Sequence, residues 1–295
     1  MSEFIQSLVR GLGNGSVYGL LAFGFVIIYK SMGVISFAQP AFMLAGAVTV
    51  TYLVTSMNFY LAVIVAAVGV ALLGMGVERA VLRPMIGKPV FVISIITLGV
   101  DVVIRVLVGG WLGLDVRPVQ DPWQLNTVSL LGTEVQQRYL AMFVTTMVLV
   151  AILFAFFRYS RMGLAMRAAA FDQEVALAQG VSVGTVFSLS WAIAGALAAV
   201  AGMFVSTGAG VDQQLWIIAL KALPVIILGG LDSLGGAVIA GLIVGVIESL
   251  IGTYGAGIAP WMGGEFSLVT PYLVMMIVLL VRPYGLFGTR EVVRI

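Results

Sequence analysis

Nine continuous apolar stretches, at about 12–29, 37–55, 59–77, 90–110, 139–157, 184–206, 214–229, 235–254 and 268–281, constrain this chain more than any other feature. Several run well beyond about 14 residues, the length past which a membrane span is a better reading than a buried core helix. Nine spans of about 20 residues would take roughly 180 positions. That matches the composition: of 295 residues, 61% are hydrophobic and 9% charged. Soluble proteins carry about 25% charged residues, so this chain has too little polar side chain to cover a water-facing surface. A soluble enzyme, a disordered regulator and a nucleic-acid binder are excluded. An outer-membrane barrel needs alternating strands of about ten residues, and these stretches are continuous. The fold class is an all-α polytopic membrane protein with eight to nine transmembrane helices in one domain over residues 1–295. The 214–229 stretch is short, contains Lys221 and Pro224 and ends at Gly229-Gly230, which predicts a broken or re-entrant helix.

The chain has no cysteine and no histidine. Disulfides and thiolate metal sites are therefore absent, and so is the commonest general base. A net charge of +2 is too balanced to imply a polyanionic partner. The basic residues are nevertheless clustered: Arg79, Arg83 and Lys88, then Arg158, Arg161 and Arg167, then Arg282, Arg290 and Arg294. The segments 111–138, 207–213 and 255–267 hold only Arg117 and Arg138. Positive residues in short loops mark the cytoplasmic side, so nine crossings place the N-terminus outside and the C-terminus inside. The first stretch is interrupted by Asn14, Ser16 and Tyr18 and reads as a retained helix, not a cleaved signal. Glu78 and Arg79 fall at a span end, where solvation accounts for them. Trp111 and Trp123 in the outer segment suit the interfacial belt or a docking surface for a binding protein.

Segment 158–183 is charged and does not suit a span. Leu164 to Gln179 are mostly strong helix formers, and Gly180 stands where a helix stops. A single helix over 164–179 is predicted at the cytoplasmic surface. It would either dock another protein or lie on the lipid headgroups.

In this segment the run Arg158-Tyr159-Ser160-Arg161-Met162-Gly163, then Arg167-Ala168, Asp172 and Gly180-Val181, resembles the ATPase-coupling loop of branched-chain amino acid ABC importer permeases (LivH type). Asn14-Gly15-Ser16-Val17-Tyr18-Gly19, Tyr29 to Gln39, Leu228 to Ala237 and Arg282-Pro283-Tyr284-Gly285-Leu286-Phe287-Gly288 are similar to the family in the same order. The family's usual run after the first span is Asn-Phe-Ala-His/Gln-Gly, and Ser36 and Pro40 depart from it at its ends. The resemblance implies a type II-like ABC importer permease that carries branched-chain or related hydrophobic amino acids across the bacterial inner membrane. It implies a second permease subunit (a heterodimer), two ATPase subunits and a periplasmic or extracellular substrate-binding protein. The chain has no Gly-x4-Gly-Lys-[Ser/Thr] phosphate loop. It is therefore not an enzyme and binds no cofactor itself; ATP and Mg belong to the partner ATPases. Under the resemblance Arg158, Arg161, Arg167, Asp172 and Glu174 set the register of docking, and Ala176 and Gly180 allow close approach.

Polar residues inside spans are functional candidates because hydrocarbon penalises them. Asn14 and Tyr18 lie one turn apart on one face of the first span. Ser36 and Gln39 open the second, where exposed helix-start amides favour an anionic group such as a carboxylate; the plainer reading is helix capping. These four residues, in a cavity lined by spans one, two and seven, form the predicted solute pathway. Asp101 and Arg105 are four apart in the fourth span and neutralise each other, either structurally, at a contact with the partner permease or at a solute site. Lys221 and Glu248 either pair or reach the interface. Two other readings fit a polytopic chain: a urea or short-amide permease of the same superfamily, and an ion-coupled secondary transporter or channel.

Overall fold

A computed structural model describes residues 2–113, 115–130, 132–258 and 266–288. Arg290 and Arg294 of the third basic cluster lie outside the described residues. Every apolar stretch is helical: α1 (Ser2–Met32), α2 (Gln39–Leu53), α3 (Phe59–Val77), α4 (Val90–Leu112), α5 (Gln137–Tyr159), α6 (Arg161–Phe171), α7 (Gln173–Ala178), α8 (Val183–Ala209), α9 (Trp216–Leu220), α10 (Ala222–Gly229), α11 (Leu234–Ile258) and α12 (Phe266–Val281) include all nine. Among the described residues six helices are long and apolar enough to cross a membrane, and Trp216–Gly229 and Phe266–Val281 are shorter apolar helices. The 15-residue α2 is shorter than a span and almost wholly buried, so protein surrounds it where lipid would surround an ordinary span. The expected break in 214–229 falls at Lys221, between α9 and α10. Among the described residues one element, a hairpin, is not helical. Thr127–Leu130 (β1) and Thr133–Gln136 (β2) form a short antiparallel hairpin with Thr127 opposite Gln136, where β-branched residues flank a turn at Gly132, φ +76°.

The chain forms two compact units. One comprises residues 27–122 and 147–219. Its centre is α8, packed along α2 and α3. Trp191 is fully buried there, with its indole N–H on the Met32 sulfur at 3.2 Å and its ring edge-on to Phe42. The other unit comprises residues 1–26, 123–146 and 220–295. Its core is a close crossing of α1 and α11: Gly11, Gly15 and Gly19 recur every fourth residue and face Gly241 and Gly245. A Cβ at Gly15 would stand 2.6 Å from the Gly241 carbonyl oxygen. Small residues at this spacing let helix backbones touch, which drives association where lipid removes the hydrophobic effect. The chain after α12 returns to the end of α10, where the Leu286 and Phe287 N–H groups donate to the Leu228 and Gly229 carbonyls. That pairing satisfies helix-end acceptors that would otherwise be orphaned.

Candidate functional site

In the unit built on α8, polar groups collect at the start of α2. Ser36 is buried, and its hydroxyl accepts the Ala38 N–H at 3.3 Å. The Phe37 N–H donates to Thr97 Oγ1 at 2.9 Å. Asp101, one turn beyond Thr97 on α4, faces the Ala41 backbone N–H in the first turn of α2. Its Oδ2 accepts from Arg105 Nε at 2.7 Å, and the Arg105 guanidinium lies 4.0 Å over the Trp216 ring. The charged pair foreseen at 101/105 therefore also places a carboxylate at a helix N-terminus, where the dipole favours it. Neither Ser36 nor Gln39 caps α2: Ser36 bonds the Ala38 N–H just ahead of the helix, which has no side-chain cap. Gln39 is 0% exposed, and neither its amide oxygen nor its nitrogen has a partner among the described residues. A buried amide left unpaired costs about 1–3 kcal/mol, which makes Gln39 a candidate for a group whose bonding a water or ligand completes.

In the unit built on α1 and α11, Tyr18 is buried and Asn14 half-buried. Lys221, at the α9–α10 break, bonds Glu248 of α11 at 2.5 Å and approaches the Tyr18 hydroxyl at 3.5 Å. Both charges are nearly buried, with side chains 9% and 13% exposed. Lys221 and Glu248 thus pair instead of reaching the interface, and Tyr18 joins them. Glu248 Oε2 has no partner among the described residues. Lys221 keeps helical torsions (φ −65°, ψ −18°), and the break follows from Pro224, which has no N–H for the Leu220 carbonyl four residues earlier.

The segment 158–183 differs from the single helix expected. It is two helices, α6 and α7, separated by Asp172 in an extended conformation (φ −156°, ψ 114°). The reason is local chemistry. The Asp172 carboxylate accepts the Glu174 and Val175 N–H groups at 2.9 and 3.0 Å, so it caps a new helix instead of continuing the old one. Ser160 caps α6 through the Gly163 N–H at 2.8 Å. Gly180, φ +82°, ends α7, with the Val181 N–H on the Ala176 carbonyl and the Gly180 N–H on that of Leu177. Ala176 is 3% exposed and turned toward the chain itself. Arg158, Arg161, Arg167, Asp172, Glu174 and Gly180 are exposed. Arg167 also donates to the Phe157 carbonyl, and Gln173 donates to the Ser31 carbonyl at 3.0 Å. Composition alone did not single out the apolar exposure here: Phe171 is 95% exposed, with Leu164, Val175 and Leu177 also outward. On a charged, non-spanning helix pair such exposed apolar residues make a candidate contact surface.

Glu78 also departs from expectation. It is not solvated at a span end but 0% exposed. A π-helical turn over Glu78–Leu82 carries it to Arg83, whose Nε and Nη2 donate to its two oxygens at 3.1 and 3.0 Å. Ser188 of α8 donates to the same carboxylate, and Arg83 also reaches the Gly184 carbonyl at 2.9 Å. This cluster ties the end of α3 to the start of α8, the helix that follows the α6–α7 segment.

Apolar helices with buried polar groups on their inner faces, and one charged helix pair outside them, define a multi-pass membrane permease subunit. The chain belongs to the family described as branched-chain amino acid transport system / permease component, whose family model matches residues 7–279. It is 29% identical to the high-affinity branched-chain amino acid transport system permease protein LivH of Salmonella typhimurium, over 99% of this chain and 98% of that protein. The same figures hold for the permease protein BraD of Pseudomonas aeruginosa. Among solved structures, PsaBC from Streptococcus pneumoniae in complex with Fab shares the fold at a TM-score of 0.52 and 16% identity, over 95% of this chain and 92% of that one.

Proposed function

We propose that the chain is one permease of an ATP-driven importer in the bacterial cytoplasmic membrane, carrying branched-chain or related hydrophobic amino acids inward. Its partners are a second, related permease, two ATPase subunits that bind ATP and Mg, and an extracytoplasmic solute-binding protein. The observation that carries the reading is the α6–α7 pair: two capped helices outside the apolar stretches, with Phe171 almost wholly exposed. Gln173 joins this pair to the end of α1, and α8 follows it directly. A push on α6–α7 is therefore delivered to membrane helices. In this role Arg158, Arg161, Arg167, Asp172 and Glu174 orient the ATPase, and Phe171 is the apolar anchor. Gln39 and Ser36 in one unit, and Tyr18 and Asn14 in the other, lie along the solute's route. The chain performs no covalent chemistry; its work is alternating access.

Purification of the tagged permease with its co-expressed ATPase tests the reading. Phe171→Asp is expected to reduce ATPase retention by about thirty-fold, as for an interface anchor, and to abolish ATP-dependent leucine uptake. The thermal midpoint should shift little, since the side chain makes almost no contact in the chain itself. Full retention and uptake in that variant would overturn the coupling assignment.

A further inference from the structure

Arg10 lies in α1, inside the membrane protein's first long helix, yet nothing in the pathway or coupling assignments uses it. Its Nε donates to Ser249 Oγ at 3.1 Å and its Nη2 to Thr253 Oγ1 at 2.5 Å, both on α11. Those hydroxyls are themselves fixed, Ser249 on the Ser7 carbonyl at 2.7 Å and Thr253 on the Ser7 hydroxyl at 3.0 Å. The guanidinium is thus held in place by neutral groups on one side. No carboxylate of the described residues pairs with it. A guanidinium has five donors in a planar fork, and these contacts use two of them.

The rest of the fork faces a cavity of about 530 Å³, within the range of small-molecule sites. Glu3 and Glu134 line it too, with Val135 and Tyr139 as an apolar wall. The hairpin carrying Glu134 is fastened to α1 by Gln6, whose amide donates to the Glu134 backbone carbonyl at 3.0 Å. Gln136 Oε1, also at the cavity, is buried without a partner. One fixed cation, two carboxylates and an idle amide oxygen do not suit a plain anion, which the acids repel, nor a cation, which the arginine repels. They suit a group bearing both charges.

We propose that this cavity is a binding site for a free α-amino acid as its zwitterion. The carboxylate sits on Arg10 in the bidentate manner that guanidinium favours, the ammonium lies toward Glu134 and Gln136, and the side chain lies on Val135 and Tyr139. The site opens on the outer face. At the start of α11, Gly230 and Gly236 pack against Phe287 and Gly288, just past basic Arg282. Ser249 and Thr253 lie about 20–26 Å further along the same helix, on the side away from the basic loops. As a place where released solute is caught before it enters the pathway, the assignment rests on the importer reading.

The test is equilibrium binding of tritiated L-leucine to the permease–ATPase complex in nanodiscs, without the solute-binding protein. Wild type should bind leucine saturably. Leucinamide, which lacks the carboxylate, and 4-methylpentanoate, which lacks the ammonium, should each compete at least about ten-fold more weakly. Arg10→Gln should weaken leucine binding about ten- to one-hundred-fold, the size of one charge-assisted contact. Arg10→Lys, which keeps the charge but not the fork, should fall between, and Glu134→Gln should weaken leucine without improving leucinamide. If the glutamine variant fails to assemble, the lysine and Glu134 variants decide. Unchanged leucine binding in these variants, or equal competition by leucinamide, overturns the site. So does weakened capture of the solute-binding protein with free leucine binding intact, because Arg10 would then serve an acidic side chain of that protein. Arg10-dependent binding in a complex that shows no ATP-dependent uptake supports the site and counts against the importer reading alone.

Discussion

Glu248→Gln is the perturbation that most directly tests the buried polar core. Lys221 and Glu248 meet at 2.5 Å with side chains 9% and 13% exposed, and Tyr18 stands 3.5 Å from the ammonium. Removing the carboxylate charge leaves an ammonium with a phenol and an amide but no counter-charge. Breaking a buried pair from one side costs about 3–5 kcal/mol. At a few degrees per kcal/mol, the thermal midpoint in nanodiscs should fall on the order of 10 °C. The double variant Lys221→Met with Glu248→Leu removes both charges and keeps apolar volume, so it should recover most of that loss, as apolar replacements of buried pairs do. Uptake separates structure from function. Because Lys221 contacts Tyr18, a residue of the proposed solute route, the double variant is expected to be stable but to transport less. A drop of under about 2 °C for Glu248→Gln, or a double variant less stable than the single one, would refute the argument that the pair is desolvated and mutually dependent.

Other outcomes follow from the same geometry. Gln39→Leu removes an amide that is buried without partners, so it should raise stability by about 1–3 kcal/mol while ATP-dependent uptake falls about ten-fold or more; undiminished uptake would take Gln39 off the pathway. Gly15→Leu places atoms where a Cβ alone would stand 2.6 Å from a backbone oxygen of α11. It should cost about 3 kcal/mol or more and lower the yield of monodisperse protein in size-exclusion chromatography, whereas a leucine at Gly69, with open space around its Cβ position, should be tolerated.

The difference between what was legible and what was not follows the range of the interactions. Apolar runs report their environment locally, so nine helical stretches, the membrane and an interruption within 214–229 could be read directly. Caps are also local, and Gly180 was legible as a stop. Asp172 was not legible as a break because a helix-forming run surrounds it, and its choice to cap α7 depends on which competing backbone bonds win. The exposure of Phe171 and the inward turn of Ala176 depended on which face of that pair the rest of the chain covers.

By itself, the sequence determined the class of this protein: a lipid-embedded helical permease with one charged module outside its spans. Hydropathy and helix termination act over a few residues, and the family motifs lie in the chain order. Only the tertiary structure decided which polar groups meet. Glu248 reaches Lys221 across 27 residues, Ser188 reaches Glu78 across 110, and Ser249 reaches Arg10 across 239. In hydrocarbon each isolated charge or hydroxyl must find a partner, and the partner is chosen by where distant helices return, which no local pattern encodes.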